Sequence, residues 1–392
     1  MPEAFYGLPE RVEFCARCVI SNQRPSSVVE HLAGPEDTKP TIAFTNGVCA
    51  ACLEADRKLG TDWFQREMEL RELLNFHRRR DGRYDVLVPG SGGKDSFYAA
   101  HILKHRYGMH PLTCTWAPHI YTDVGWRNFR RFCAVADNYL LTPNERVHRL
   151  LTRLALENLF HPFQPFVLGQ KAFPPRLAQQ LGIKLVMYGE SAQEYGNGAD
   201  TGPKVASGYY APQGDLRLAG VLLSELQARH GLVMHDLAAY LPMDTPPESV
   251  DVRYLGHYLK WKPQECYYYA AEHGGFEAAP ERTPGTYSKY SSIDDRLDDL
   301  HYWTTYQKFG IGRATYDAAQ EVRSGDITRE EAVALVKRFD GEYPERFERE
   351  VFEYLSVDGF PDMTRERLFM LAEKFRSPHL WDGDQLRHHV WD

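Results

Sequence analysis

Short apolar runs alternate with amphipathic stretches through the middle of the chain. The apolar runs predict four buried strands, because turn residues bound each of them. These strands cover 84–89, 111–116, 139–141 and 184–188. The stretches between these strands have helical spacing and predict helices at 96–107, 126–136, 144–159 and 175–181. Strands that alternate with helices form a parallel sheet flanked by helices, so the pattern predicts an α/β fold.

The segments on either side of this region have a different texture. Residues 1–60 are rich in loop formers and cysteine. Residues 61–80 carry apolar side chains at roughly helical spacing, which predicts a helix that covers one face of the α/β unit. Residues 254–269 are dense in aromatic side chains and stay unassigned. Helices return towards the C-terminus, where Thr328 and Glu331 form a T-x-x-E capping box.

We therefore expect three units. Residues 1–80 form a cysteine-bearing module with a linking helix, and residues 81–215 form the α/β domain. Residues 216–392 form a mainly helical region on the substrate or partner side. The sequence contains no run of roughly eighteen apolar residues and no signal-peptide pattern at its start, which predicts a cytoplasmic protein without a membrane partner. The formal net charge of −8 argues against a nucleic-acid partner.

Four of the seven cysteines form two C-x-x-C pairs. Cys15 and Cys18 make the first pair, and Cys49 and Cys52 make the second. Four thiolates are the donor set of a structural zinc site, and turn residues beside the second pair let backbone amides hydrogen-bond to the sulfurs. Four filled positions leave no open site for catalysis, so Zn²⁺ is expected to hold structure only. An iron–sulfur cluster, redox-active pairs and reduced packed cysteines are the alternatives.

The chemistry of the chain centres on the hexapeptide SGGKDS, which lies between a predicted strand and a predicted helix. Its two glycines let the backbone approach a phosphate chain, and the helix N-terminus adds the positive end of its dipole. Lys94 adds a cationic donor, and Asp95 can hold a Mg²⁺ ion that neutralises the phosphates. The spacing is not that of G-x-x-x-x-G-K-[ST], so a γ-phosphate NTPase is not the natural interpretation. We assign nucleotide binding to Ser91, Gly92, Gly93, Lys94, Asp95 and Ser96.

Ligands of open parallel sheets bind at the carboxyl ends of the strands, so the residues that follow each strand are the next candidates. Trp116 fits a wall for the adenine ring, with a core tryptophan as the equal alternative. Gly189 and Glu190 end the later strand, and they suit nucleotide, metal or substrate contacts. Further candidates for substrate, phosphate or carboxylate contacts are Gln170, Lys171, Glu194, Tyr195, Asp294, Asp295 and Arg313. For the acids the alternative is a helix start, and for the bases it is a solvated surface.

The SGGKDS loop resembles the S-G-G-x-D-S loop of the PP-loop ATP pyrophosphatases, and further strings narrow this resemblance. They include the two C-x-x-C pairs, VPGSGGKDS, WAP, YGES with EYG, KYSSIDDR and KFGIGRATYDAAQEVRSGDITREEA. Together they resemble the N-acetyl sugar amidotransferases, called WbpG or PseA, over nearly the whole chain. The resemblance makes 81–215 a PP-loop ATP-binding domain.

The resemblance implies an enzyme that converts the acetamido group of a sugar, expected to be nucleotide-linked, to an acetamidino group. ATP adenylates the amide oxygen, pyrophosphate leaves, and ammonia then replaces AMP. It implies ATP, Mg²⁺ and structural zinc, with Lys94, Asp95 and Glu190 as catalytic residues. The pathway would be lipopolysaccharide or nonulosonic acid biosynthesis, including pseudaminic acid.

The resemblance also implies that a separate glutaminase, with a cyclase-like partner, supplies the ammonia. This agrees with the sequence, because Cys114, Cys133 and Cys266 lie outside any glycine-flanked nucleophile elbow. A homodimer is an assembly that the sequence leaves open. Two other functions also stay open: a PP-loop tRNA thiolase that uses a sulfur donor, and a non-catalytic nucleotide-binding adapter.

Overall fold

The computed structural model describes residues 3–25, 38, 40–190, 216–241 and 249–392. Its helices are α1 (Ala50–Leu59), α2 (Trp63–His77), α3 (Lys94–His105), α4 (Asp123–Cys133), α5 (Glu145–Leu159), α6 (Gln164–Leu181), α7 (Leu223–His230), α8 (Met234–Leu237), α9 (Leu255–Tyr258), α10 (Pro263–Gly274), α11 (Asp298–Phe309), α12 (Arg313–Ser324), α13 (Arg329–Phe339), α14 (Glu348–Leu355) and α15 (Arg365–Phe375). Its strands are β1 (Phe44–Thr45), β2 (Val48–Cys49), β3 (Val86–Pro89), β4 (Pro111–Trp116), β5 (Asn138–Leu141), β6 (Leu185–Tyr188), β7 (Arg217–Leu218), β8 (Val221–Leu222), β9 (Asp251–Tyr254), β10 (Trp381–Asp382) and β11 (Gln385–Leu386).

Five strands form one parallel sheet in the order β5-β4-β3-β6-β9. β3 lies in the centre, and all four of its residues are buried. Leu87 and Val186 belong to the core cluster beneath α5 and α6, whereas Val86 and Val88 belong to the cluster beneath α3. Helices thus cover both faces, which explains the continuous apolar runs of these strands. The predicted α/β fold with a parallel sheet is confirmed.

Two elements differ from the pattern-based expectation. β9 comes from the segment after residue 216 and pairs with β6, with Val252 opposite Val186, so the sheet extends beyond the predicted 81–215 domain. The helix predicted at 175–181 is the last part of α6, which continues through Pro174 and Pro175. Proline favours the first turn of a helix, so this pair resembled a helix start in the sequence.

The linking helix α2 covers the sheet domain with only part of its apolar surface. Leu70 and Leu74 are buried against the cluster beneath α3, whereas Phe64 and Phe76 are 77% and 83% exposed. The apolar residues of this segment therefore do not form a single inward face. No helix within the described segments is long and apolar enough to cross a membrane.

The cysteine-bearing module shares a core with the C-terminal helices. Ile42 of the module packs in one cluster with Ala319 of α12 and Val336 of α13. The amide of Phe5 donates to Ser377 Oγ over 2.8 Å, which ties the N-terminal segment to the region after α15. The predicted capping box of Thr328 and Glu331 is confirmed at the start of α13. The module thus forms a third layer against α12 and α13, beyond the sheet domain.

Candidate functional site

The SGGKDS loop joins the end of β3 to the start of α3. Gly92 has φ +91°, and a Cβ there would lie 2.8 Å from the Cα of Phe129, so the turn itself requires glycine. Gly93 caps the N-terminus of α3 with φ −65°, and a Cβ there would meet only Ser91 Oγ, at 3.7 Å. The fold therefore needs Gly92, whereas Gly93 leaves open space in front of the first amides of α3.

Asp95 is held from two sides. Lys94 donates to its Oδ2 over 2.5 Å, and Trp261 donates its indole N–H to Oδ1 over 3.1 Å. Burial by itself lowers the pKa of Lys94, but the Asp95 carboxylate and the charge of Glu190 outweigh burial and raise that pKa. Lys94 therefore stays a cation at neutral pH, next to a fixed carboxylate at the N-terminus of α3.

A cavity of about 500 Å³ runs along the loop at the carboxyl ends of the strands. We call it the loop cavity. Its described lining includes Tyr188, Gly189, Glu190, Gln170, Lys171, Asp294, Asp295, Asp298 and every residue of the loop except Lys94, which lines the neighbouring cavity instead. The backbone of Gly189 passes close to Asp95: a Cβ at position 189 would lie 3.0 Å from the Asp95 carbonyl oxygen, so a larger residue would fit poorly there. The structure thus brings the loop together with Gly189, Glu190, Gln170, Lys171, Asp294 and Asp295, all of which the sequence singled out.

A second cavity, of about 440 Å³, adjoins the first. We call it the module cavity, because the cysteine-bearing module forms one wall and helices α11 and α12 form another. The described residues that define it include Ile20, Arg24, Ile42, Lys308, Arg313, Tyr316, Gln320 and Arg323. Gly93, Asp95 and Glu190 line both cavities. The two spaces therefore meet beside the SGGKDS loop.

The carboxylates opposite the loop have different roles. Asp295 is engaged within the protein, since its Oδ2 pairs with His119 Nδ1 over 2.7 Å and its Oδ1 accepts from the amide of Leu297 over 3.0 Å. Asp294 is half-buried beside the loop, and desolvation raises its pKa while a hydrogen bond with Ser91 opposes that effect. Burial raises the pKa of Asp298 as well. Asp295 thus fixes the chain after β4, and Asp294 and Asp298 face the cavity.

One sequence candidate, Trp116, lies away from both cavities, and two others fall outside the described residues. Trp116 is 3% exposed in the core cluster, packs against Tyr240 at 5.3 Å between ring centroids, and is absent from the described lining of both cavities. We therefore correct the adenine-wall interpretation and assign Trp116 to the core. Glu194 and Tyr195 lie outside the described residues.

The four cysteines of the module come together in one buried cluster. Their sulfurs lie within 4.8 Å of one another, with Cys15 and Cys52 at 3.8 Å and Cys18 and Cys49 at 3.7 Å. A tetrahedron of sulfurs about 2.3 Å from a zinc ion has edges of about 3.8 Å, so the set fits a single Zn²⁺ ion. A multi-iron cluster needs a wider set of sulfurs. The geometry supports the expected structural metal.

The local sequence explains how the second pair is presented. The turn between β1 and β2 contains Asn46 and Gly47, both with positive φ, as a two-residue hairpin requires. The hairpin places Cys49 at the N-cap of α1, so that Cys52 follows in the first turn. The amides of Arg17 and Cys49 donate to Cys15 Sγ over 3.4 and 3.3 Å, which are the amide–sulfur bonds expected from the sequence.

Sequence reasoning missed several residues at the junction of the cavities. Tyr290, His301 and Tyr302 line both cavities, and Trp261 holds Asp95. The available signals were the aromatic density around Trp261 and the KYSSIDDR string that begins at Lys289. Neither signal says which aromatic ring meets the loop, because the chain folds back from a distant segment.

The remaining three cysteines have environments that suppress reactivity. Burial raises the pKa of Cys114 and of Cys133, and it raises the pKa of Cys266 well above its usual range, with the Asp95 charge adding to the effect. A thiol with a raised pKa is mostly protonated and is a poor nucleophile. These three sites therefore behave as small apolar side chains.

Comparison with known families covers the C-terminal part of the chain. Residues 284–392 match the family model of the C-terminal domain of WbpG-like LPS biosynthesis proteins. No curated protein matches the chain. The resemblance to WbpG-like proteins is thus confirmed over a segment that includes α11 to α15, and this segment supplies the α11–α12 wall of the module cavity.

Proposed function

We propose that the chain is a PP-loop amidotransferase that uses ATP to convert the acetamido group of an N-acetylated sugar to an acetamidino group. The sugar belongs to surface-polysaccharide biosynthesis, which accords with the WbpG-like match at 284–392. The amide oxygen attacks the α-phosphorus of ATP and pyrophosphate leaves. Ammonia then adds to the activated carbon, AMP leaves with that oxygen, and loss of protons yields the amidine.

The observation that carries the proposal is the meeting of two cavities at one loop. Transfer of an adenylyl group requires that the α-phosphate and the acceptor oxygen lie side by side. Gly93, Asp95 and Glu190 line both spaces. The loop cavity is thus suited to ATP and the module cavity to the acceptor.

The residues of the junction supply positioning and charge. The amides at the start of α3 and the Lys94 ammonium bind phosphate oxygens, and their positive charge stabilises the negative charge of the phosphates. Mg²⁺, when bound, neutralises the phosphates, and Asp95 and Asp294 offer the carboxylate oxygens that this ion prefers. Glu190 is placed to accept a proton from ammonia as it adds to the acceptor.

Ammonia comes from outside the chain in this proposal. The environments of Cys114, Cys133 and Cys266 do not favour the thiolate that glutamine hydrolysis needs. We propose a separate glutaminase, with a cyclase-like protein, as the source. The same cysteine environments disfavour a tRNA thiolase that carries a persulfide on one of these three residues.

The test is a product assay. The purified chain is incubated with ATP, Mg²⁺, a high concentration of ammonium and a panel of free and nucleotide-linked N-acetyl sugars, and AMP, pyrophosphate and sugar mass are measured together. We expect AMP and pyrophosphate in equal amounts with one sugar class, together with the mass change for replacement of an oxygen by an NH group. AMP formation that requires tRNA and a sulfur donor would replace this proposal with the thiolase.

Two variants on α3 make the assay specific. Lys94→Ala removes the cation at the junction and should abolish AMP formation. Lys104→Ala on the same helix removes a cation that donates to the Val135 carbonyl, outside both cavities, and should retain activity. Equal activity of the two variants would remove Lys94 from the mechanism.

A further inference from the structure

Three buried N–H groups around the module cavity have no hydrogen-bond acceptor among the described residues. They are Arg24 Nε, Arg313 Nη1 and Gln320 Nε2. Arg24 is 6% exposed and Arg313 is 4% exposed. A buried donor without an acceptor destabilises the folded protein, so proteins rarely retain several at one place without a ligand.

The two arginine side chains are held in place by other contacts. The Arg24 guanidinium lies 5.6 Å from the ring centroid of Tyr316, and the Arg313 guanidinium lies 4.2 Å from that of Tyr302. Asp317 accepts a hydrogen bond from Arg313 Nε over 3.1 Å. Nη1, on the other edge of the same guanidinium, has no acceptor among the described residues. Each guanidinium therefore lies over a ring and carries an N–H that has no acceptor within the described part of the chain.

The charge around the cavity is positive. Its described lining includes the five basic residues Arg24, Lys94, Lys308, Arg313 and Arg323 and the three acidic residues Asp95, Glu190 and Asp317. Asp95 is bonded to Lys94 and Asp317 to Arg313. An excess of cations in a partly enclosed space favours an anionic ligand.

We propose that Arg24, Arg313 and Gln320 bind an acid group of the acceptor, either a carboxylate or a phosphate. The proposal rests on the function proposed above, because it makes the ligand of the module cavity the acceptor sugar. Guanidinium groups match carboxylate and phosphate oxygens, and an amide N–H adds a further donor. The acid group would anchor the acceptor between the module and α12.

This assignment makes the cysteine-bearing module part of the acceptor site. Arg24 belongs to the module, whereas Arg313 and Gln320 belong to α12. An acceptor bound to all three bridges the module and α12. Binding in the loop cavity should not depend on the module, since the described lining of that cavity contains no residue of the module.

Binding is measured by calorimetry with three probes: UDP-N-acetylglucosamine as the phosphate source, N-acetylneuraminic acid as the carboxylate source, and uncharged N-acetylglucosamine. Each titration is run with and without α,β-methylene-ATP. We expect one anionic probe to bind at least about tenfold more tightly than the uncharged sugar, as charge-assisted hydrogen bonds predict. The anionic probe that binds identifies the source of the acid group.

Gln320→Leu and Arg24→Gln should each weaken the anionic probe about tenfold or more and leave the binding of α,β-methylene-ATP unchanged. Gln320→Leu should also leave the thermal unfolding midpoint equal or higher, because it deletes a donor that no described residue satisfies. Arg11→Gln is the matched control, since Arg11 is an exposed arginine of the same module.

Equal affinity for charged and uncharged sugars would overturn the proposal, as would anionic binding that survives both variants or no binding of any probe. A lower unfolding midpoint for Gln320→Leu would show that Gln320 stabilises the fold, and it would overturn the assignment of Gln320 to the acid-binding site. Failure of the proposed function gives a different result: no AMP forms with any sugar, while donor-dependent binding of an anionic probe persists.

Discussion

Trp261 donates its indole N–H to Asp95 over 3.1 Å, although 166 residues separate the two in the chain. Asp95 belongs to the loop between β3 and α3, whereas Trp261 precedes α10. The contact forms because α10 packs along α3 on one face of the sheet. The carboxylate that faces both cavities is thus oriented by a distant segment.

Replacement of Trp261 by phenylalanine should impair Mg²⁺ use more than folding. Trp261→Phe deletes one hydrogen bond, which costs about 1 kcal/mol of unfolding free energy, and it leaves Asp95 held by Lys94 alone. We expect the Mg²⁺ concentration for half-maximal AMP formation to rise several-fold. Trp63→Phe, on helix α2, is the matched control. An equal Mg²⁺ dependence of the two variants would show that Trp261 does not position Asp95.

The two loop glycines should respond oppositely to alanine. Gly92→Ala forces a side chain into φ +91° and against Phe129, which should lower the unfolding free energy by about 1–3 kcal/mol. Gly93→Ala meets no such clash and should cost at most about 1 kcal/mol, because alanine is a poorer N-cap than glycine. Its methyl group would meet the phosphates of the proposed nucleotide, so nucleotide affinity should fall at least about tenfold. Thermal unfolding and nucleotide titration separate the two effects, and normal affinity in Gly93→Ala contradicts phosphate binding at this turn.

The cysteine cluster should hold one zinc ion per chain. Cys18→Ser removes a ligand and should lose the metal, lower the unfolding midpoint and loosen the core shared by the module and α12. Elemental analysis and thermal unfolding measure these effects. Cys133→Ser is the control, since Cys133 lies outside the cluster and should keep the metal. Visible absorption with bound iron and sulfide would instead identify an iron–sulfur cluster.

Stability should fall as the pH drops from about 6.5 towards 4, in part because of His101. Burial lowers the pKa of His101 to about 4, and the nearby His105 and His273 add to this effect. The unfolded chain, with a histidine pKa of about 6.5, binds the proton first, so acid favours unfolding in this range. His101→Gln should reduce the slope of unfolding free energy against pH, by less than about 1.4 kcal/mol per pH unit because the ring is partly exposed. The same change at exposed His235 is the control, and identical slopes would exclude His101 as the cause.

The sheet was predictable where local pattern and burial agree. β4 matches its predicted bounds because all six of its residues are buried and a helix precedes and follows it. β9 was not predicted, since it is a short strand of alternating half-buried and buried positions at the edge of the aromatic-rich segment. Its place in the sheet depends on pairing with β6, which is a long-range contact.

In the site, too, residues of a local motif could be predicted, whereas residues brought in by long-range packing could not. Gly92 and Lys94 belong to a local motif whose chemistry follows from the residues themselves. Arg24 gave no local signal, because it joins the site only when the module packs against α12. Trp116 shows the converse, since its position after a strand suits a ligand but its ring is enclosed by the core.

The tie between Phe5 and Ser377 spans 372 positions of the chain. A ribosome releases the cysteine-bearing module long before it releases the helices and the C-terminal segment that cover it. Until then, Ile42 and its neighbours in the nascent module have no C-terminal helices to pack against. The sheet domain can meanwhile begin to form from contacts closer in sequence. Early capture of zinc would give the nascent module a defined shape, so metal supply during translation should limit the yield of folded protein more than metal supply afterwards.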